Sequence, residues 1–372
     1  MTVRLIEDGA AWDKFLDETP YGTIFHRWRM LKIVEKYTGY RLLPYGIYRG
    51  AELISVFPLY LRKYKGMKLV FSPPPQTLIP YLGFVMGPTY GKLKQKRKEA
   101  YLAEVATEIT AEIKKIAPNY VTMLTEPCFD DIRPFIWQKY GVDVSYEYAI
   151  SLEKPLEEIW AGFDSTCKKN IKHCEGRGLV MKQSGDIETY YKVMRESFEA
   201  RGRRSFYRTG DPSYLKEILA AFPENIKLYF LYESEGIGGT DKIVGTDKIV
   251  GTDKIVGTDK IVGTDKIVGT DKIVGTDKIV GTHLICEYRG KFILWLGSAS
   301  GHYNEYMLWE LIKMEKAMGM KVFEIPDADT ERVLPFKSKF NPGLEMKFRV
   351  NQKNTVGAIA EWMFAHVIKA WI

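Results

Sequence analysis

Histidine and cysteine are scarce in this 372-residue chain, with five of one and four of the other, and most metal and hydrolase chemistry is scarce with them. Cys128, Cys167, Cys174 and Cys286 show no paired spacing of the kind a disulfide framework uses, so the expectation is reduced thiols. Cys167, His173 and Cys174 lie close together, but residues share a helix face only at three or four apart, and their spacings do not match the short ligand pairs of zinc sites; no metal is expected. His26, His173, His283, His302 and His366 form no HExxH pair and no serine-nucleophile elbow is present. A Walker loop and a dinucleotide fingerprint are also missing, which removes the commonest nucleotide enzymes. No uncharged apolar run reaches the length of about 18 residues that a membrane helix needs. The opening MTVRLIEDGAAWDKFLDE is acidic where a secretory signal is apolar, so a cytoplasmic chain is expected.

What is present is ordinary globular material, 45% hydrophobic and 27% charged, long enough for two domains with cores of their own. A net charge of +7 and a pI near 8.9 favour anionic partners: phosphates, nucleotides, tRNA or a lipid surface. The basic residues are spread out, apart from Lys94, Lys96, Arg97 and Lys98, which read as the solvated start of a helix.

Apolar periodicity predicts a strand at 3–6, helices near 12–16 and 26–37, and antiparallel hairpins between 39 and 72 punctuated by Gly50 and Gly66. A long amphipathic helix at 92–116 and strands at 120–124 and 146–152 follow. The second half predicts helices at 155–176, 187–198 and 212–221, the last capped by Asp211 with Pro212 in its first turn. Strands at 179–183, 226–232, 283–288 and 292–296 come with them, then a helix at 304–318 stopped by Gly319 and strands at 321–325 and 345–350. Strands and helices in this mixed order, twice over, predict an α/β (α+β) protein of two domains, 1–150 and 151–372.

The second domain is interrupted at 239–280 by seven identical copies of Gly-Thr-Asp-Lys-Ile-Val. A left-handed β-helix would place Lys248 and its equivalents where a small residue is needed, so a solenoid is rejected. One copy closes a hairpin between 226–232 and 283–288; the other six read as an inert expansion of a surface turn, whose closure cost grows only logarithmically with length.

Three segments carry chemistry. Gly297-Ser298-Ala299-Ser300-Gly301 joins a strand to a long helix, and backbone N–H groups there, with Ser298, Ala299 and Gly301 lining the turn, suit a donor phosphate. Arg201-Gly202-Arg203-Arg204 follows a helix and offers bidentate anion recognition. In Leu334-Pro335-Phe336-Lys337-Ser338-Lys339-Phe340, a lysine framed by aromatic rings can stabilise a developing oxyanion. Each also has a plain reading as a tight connection, an exposed basic turn or a surface loop.

In order and spacing these segments resemble the FemABX peptidyltransferases and the related BioF2-like acetyltransferase domains of the GNAT superfamily. Trp160, Lys168-Lys169-Asn170-Ile171, Leu308-Trp309-Glu310 and Gly319 join the match over about 151–350, and Phe25-His26-Arg27-Trp28 with Lys32 gives a weaker one in the first half. The resemblance implies two tandem GNAT-like domains with a groove between them, and amide formation on an amine of a phosphate-bearing envelope or polysaccharide precursor. It implies catalysis by Lys337 beside Phe336, acceptor phosphates held by Arg201 and Lys32, and no bound cofactor, the donor being acyl-CoA or aminoacyl-tRNA. Asn341-Pro342-Gly343 departs from the family ending and no coiled-coil arm is present, which leaves the donor open. A CoA-dependent N-acyltransferase and a degenerate scaffold that binds tRNA, polysaccharide or a membrane partner are the alternatives. The apolar C-terminal segment 358–372 either docks on the protein or lies on a membrane surface.

Overall fold

The computed structural model describes residues 1–127, 129–199, 212–234, 278–299 and 301–363. The first half runs β1 (Thr2–Leu5), α1 (Gly9–Glu18), α2 (Trp28–Thr38), β2 (Arg41–Arg49), β3 (Glu52–Tyr64), β4 (Met67–Ser72), β5 (Val85–Met86), α3 (Gln95–Ile116), β6 (Tyr120–Leu124), α4 (Arg133–Trp137) and β7 (Gly141–Ser151). The second runs α5 (Leu156–Gly162), α6 (Ser165–Cys174), β8 (Leu179–Ser184), α7 (Ile187–Glu199), α8 (Ser213–Ala221), β9 (Ile226–Glu233), β10 (Lys278–Tyr288), β11 (Lys291–Ala299), α9 (Tyr303–Ala317), β12 (Val322–Ile325), α10 (Leu334–Lys337), β13 (Gly343–Lys353) and α11 (Thr355–Met363).

Local chemistry sets many of these limits. Asp8 and Asp164 cap α1 and α6 by accepting backbone N–H bonds at 2.8 Å. Gly319, in the left-handed region at φ 88°, ends α9, its N–H donating to Lys316 O and that of Met320 to Glu315 O. Three limits differ from the sequence reading. α8 starts at Ser213 with Pro212 as the capping residue, Asp211 lying outside the described residues. The expected open segment after Val333 is helical, α10 followed by a 3-10 turn at Ser338–Phe340, because Pro335 suits a first helical turn. The last copy of the repeat is part of a strand: Lys278 and Ile279 of β10 pair with Glu233 and Tyr232 of β9.

All the strands join one mixed sheet in the order β1-β2-β3-β4-β6-β13-β7-β12-β11-β10-β9-β8, with β5 beside β3. Two units of the same design lie along it, β4-α3-β6-α4-β7 and β11-α9-β12-α10-β13. In each, the first two strands are parallel neighbours, Leu69–Ser72 with Tyr120–Met123 and Lys291–Ile293 with Val322–Glu324. Each unit then gives its last strand away: β7 pairs with β12, and β13 pairs with β6. At the centre β7 and β13 run antiparallel from Gly343 opposite Ala149 to Asn351 opposite Gly141, so the halves are hydrogen-bonded into one sheet.

Side chains alternate across the sheet and feed separate cores. On one face α1, α2, α7 and α8 cover Val56, Leu284, Cys286, Ile293 and Trp295. On the other, α3 and α4 cover Phe57, Val70 and Val121, while α5, α6 and α9 cover Ile150, Phe292 and Phe323. Phe292 and Phe323, neighbours on β11 and β12, stack with centroids 4.2 Å apart, an arrangement contributing about 1 kcal/mol beyond burial.

Candidate active site

The residues around Lys337 are held by an aromatic knot. Phe336 meets Phe340 at 5.7 Å, Phe340 meets Phe163 at 5.2 Å, and Phe163 meets Trp309 of α9 at 5.4 Å, with Trp160 5.1 Å from Trp309. Rings from α5, α9 and the 3-10 turn thus anchor α10 without using the lysines. Lys337 and Lys339 then separate in role. Lys339 reaches the buried Glu305 in the first turn of α9 at 3.2 Å, where Asn170 of α6 also donates at 2.9 Å. It is a tie between elements.

Lys337 is half-buried and donates to the carbonyl of Pro326, just past β12. No carboxylate lies within ion-pairing distance of it among the described residues. Burial pushes its pKa below the ordinary lysine range, partly offset by the negative charges of Asp327 and Glu147. A cation whose one strong bond is to a neutral carbonyl is available to a developing oxyanion, which a salt-bridged lysine is not.

β11 provides the second feature. Its ladder with β12 stops at Ile293, and the strand continues to Ala299, beyond the end of β12 at Ile325. The first half meets these strands: Trp295 Nε1 donates to Leu78 O at 2.5 Å, and the Tyr81 hydroxyl donates to Glu324 of β12 at 2.9 Å. Ser298 and Ala299 therefore end a strand. The Ser298 hydroxyl is 2.6 Å from that of Ser197 on α7, and Ala299 pairs with Gly281. Ser300 is outside the described residues; Gly301, at φ 52°, turns the chain into α9, whose cap His302 makes no side-chain cap bond. The helix mouth is thus formed by Gly301 and His302.

Beneath that mouth the imidazole of His283 is buried, with neither ring nitrogen hydrogen-bonded among the described residues. Burial pushes its pKa down to about 4, offset only in part by the nearby Asn304 amide, so the ring is neutral at physiological pH. Gly297 is required beside it, since a Cβ there would lie 1.7 Å from Nδ1.

Sequence reasoning missed a buried ionic bridge under the same strands. Glu147 of β7 accepts from Lys347 of β13, while Glu324 accepts from Lys291 at 2.9 Å as well as from Tyr81. Burial raises Glu147 to about 7 against the pull of Lys347. Lys291 is held above its ordinary range, because the Glu324 carboxylate outweighs burial. The available signal was a charge inside strand patterns such as Tyr146-Glu147-Tyr148, which alternation alone assigns to solvent.

The remaining candidates are dispersed. Lys32 lies on the exposed side of α2, ion-paired with Glu35, and α2 packs on the sheet face opposite α10. Arg201 lies outside the described residues. Cys167 and Cys174 are buried along α6, their thiols pushed up to about 12 and 11 by burial. Among the described residues no group of three His, Cys, Asp or Glu is arranged for a metal, and no helix is long and apolar enough to cross a membrane.

No protein-family model matches the chain, and no curated protein matches its sequence. Solved structures do. FemX superposes with a TM-score of 0.61 at 14% identity, over 94% of this chain and 97% of its own. The C-terminal domain of a putative lysylphosphatidylglycerol synthetase from Agrobacterium fabrum gives 0.53 at 9% identity, over 95% and 96%. L-PGS from Bacillus licheniformis gives 0.52 at 12%, over 97% of each. The chain therefore shares the α/β fold of FemX over nearly its whole length.

Proposed function

We propose that this protein is an acyl- or aminoacyl-transferase that forms an amide on an amine of a phosphate-bearing acceptor, with Lys337 stabilising the tetrahedral intermediate. The observation that carries this reading is the half-buried Lys337, bonded to the Pro326 carbonyl on a helix that Phe336 anchors against Phe340. The acceptor amine attacks the ester or thioester carbonyl and negative charge grows on its oxygen. As the C–N bond forms, the C–O or C–S bond breaks, and the amine proton leaves with the departing group through solvent or substrate phosphate. A preorganised cation lowers that barrier because it interacts more strongly with the oxyanion than with the ground-state carbonyl.

The donor is acyl-CoA or aminoacyl-tRNA, its phosphates directed to the mouth of α9 near Ser298, Ala299 and Gly301, where the helix dipole favours anions. Arg201 and Lys32 are assigned to the acceptor's phosphates, and the acceptor class is a cell-envelope or polysaccharide precursor. The shared fold with FemX and a lysylphosphatidylglycerol synthetase domain supports the transferase class.

Thermal shift with acetyl-CoA, longer acyl-CoAs, aminoacyl-tRNA and UDP-linked sugars separates the donors, because a ligand at 100 times its Kd stabilises by about 2.7 kcal/mol. No shift with any member of the panel removes the transferase reading. With an acceptor identified, Arg201→Ala and Lys32→Ala should raise its KM more than they lower kcat.

A further inference from the structure

Where β12 ends, the chain is kinked against β7. The two strands pair as far as Ile325 opposite Tyr148, and contact resumes where Ala328 N donates to Tyr146 O. Pro326 and Asp327 are therefore two residues set against the single Glu147, the count of a β-bulge. Asp327 takes φ 65°, in the left-handed region that aspartate tolerates better than most residues, and Asp329 fixes the far side by accepting from Tyr146 N at 2.9 Å. The carbonyl that receives Lys337 is that of Pro326, so the ammonium is bonded at the bulge opposite Glu147.

The bulge gathers charge around Lys337 without closing an ion pair on it. Asp327 and Glu147 both favour its charged form, Asp327 more strongly, against burial and the nearby Lys347 ammonium. Glu147 is fully buried; one of its oxygens accepts from Lys347 of β13, and the other has no hydrogen bond among the described residues. Glu324 and Asp327 are the other charges that act on Glu147, and Glu324 is itself engaged by Lys291 and Tyr81. Lys339 is turned away to Glu305. An ammonium has three N–H donors, and the bond to Pro326 O uses one. A direct salt bridge would occupy the others, whereas a carboxylate one step further off supports the charge through space and leaves them free.

We propose that Asp327 and Glu147 are positioning residues for Lys337: held at the bulge but not bonded to the ammonium, they keep it charged in a half-buried place while its remaining donors stay available to an oxyanion. The proposal rests on the transferase reading and adds the two groups that make Lys337 usable. Lys347 opposes them and is tied to Glu147.

The test labels the full chain with acetic anhydride across the lysine titration range, about pH 8 to 11, and reads Lys337 by peptide mass spectrometry. Acetylation proceeds on the neutral amine, so its rate at each pH reports how much of Lys337 has lost its proton. Asp327→Asn, at an exposed position whose left-handed backbone asparagine also adopts, should fold normally. It should move the Lys337 midpoint down by about one pH unit, making labelling below the midpoint roughly tenfold faster. Glu147→Gln should move it the same way by less. That substitution leaves Lys347 buried without its carboxylate, so Glu147→Gln/Lys347→Met takes its place where it does not fold. The double variant should give a smaller shift of the same sign, because Glu147 acts on Lys337 more strongly than Lys347 does. Lys339, whose partner Glu305 is untouched, is the reference in the same digest. A merely structural role for either carboxylate would lower the melting temperature and leave the Lys337 midpoint in place. An unchanged midpoint in Asp327→Asn, or in the Glu147 variant that folds, overturns the proposal, as does an equal shift at Lys339. Turnover of Lys337→Met with the donor found by thermal shift separates the two claims. If the midpoint does not move while Lys337→Met abolishes turnover, only the positioning role is lost; if it moves while Lys337→Met turns over normally, the catalytic reading is lost.

Discussion

The two strand–helix–strand units differ where chemistry would need them to differ. In the first, residues 73–94 separate β4 from α3, and this segment buries Ile79, Tyr81, Leu82 and Phe84 in the cores. In the second, three residues separate β11 from α9, leaving the helix mouth close to the strand end. The crossovers to the exchanged strands match more closely, Pro134-Phe135-Ile136 in α4 and Pro335-Phe336-Lys337 in α10. Phe135 packs against Tyr140 at 5.7 Å as Phe336 does against Phe340. The following residue is an exposed isoleucine in one unit and a half-buried lysine in the other. The scaffold was used twice, and a cation sits at this position in the second unit alone.

The largest expected effect breaks that asymmetry. Lys337→Met removes the charge and keeps most of the volume, so kcat should fall by on the order of 100- to 1,000-fold with folding intact. Adding Ile136→Lys to that variant should restore none of the rate, because the first unit has no open helix mouth. Lys339→Met, which unties Glu305, should lower the melting temperature more than kcat. Equal and small effects of Lys337→Met and Lys339→Met on turnover would make Lys337 a surface lysine. Activity that needs the Lys337 ammonium should decline as pH rises, at a lower pH than an ordinary lysine implies.

Next in size is Gly297→Ala. Its Cβ would collide with the His283 ring and the Thr282 carbonyl, and overpacking of this kind costs about 1–3 kcal/mol or more. A drop of several degrees in melting temperature is expected, and an unchanged one would mean that the His283 ring is free to move.

The helices α3 and α9 offer a pH test. Each buries a glutamate: Glu112 is ion-paired with Lys115 on its own helix, whereas neither carboxylate oxygen of Glu315 is hydrogen-bonded among the described residues. Burial, with the nearby Glu287 charge, raises Glu315 to about 8. A folded-state pKa above the unfolded value stabilises fully below about 4.5, and that stability is lost as pH rises towards 8. Glu315→Gln should therefore flatten the fall in melting temperature between pH 5 and 8. Glu112→Gln should leave the fall in place. A slope unaltered by Glu315→Gln would show the carboxylate is not desolvated.

The smallest effect should come from the repeat. Deleting 239–274 leaves one copy, including the Lys278 and Ile279 that pair with β9, and the melting temperature should move by only a few degrees. An insoluble product would give the insertion a structural role.

Elements were legible where one face of a segment meets a core, as in α2, α3 and α9, because apolar spacing there repeats at the helical period. Glycine caps were legible for the same local reason. The candidate segments could be named from residue type, since small residues before a helix and lysine among aromatics carry chemistry independently of fold. The central charges were not legible. Glu147, Glu324 and Lys347 look like solvent-facing positions, and only helices packed on both faces of the sheet turn them inward. Strand exchange was equally hidden, because β7 and β13 have the same alternation whichever neighbour they join. What the sequence alone determined is each element and the residues able to do chemistry, which depend on neighbours a few positions away. That Lys337 is half-buried on a carbonyl while Lys339 is spent on Glu305, the tertiary structure decided, because both depend on how separate elements pack together.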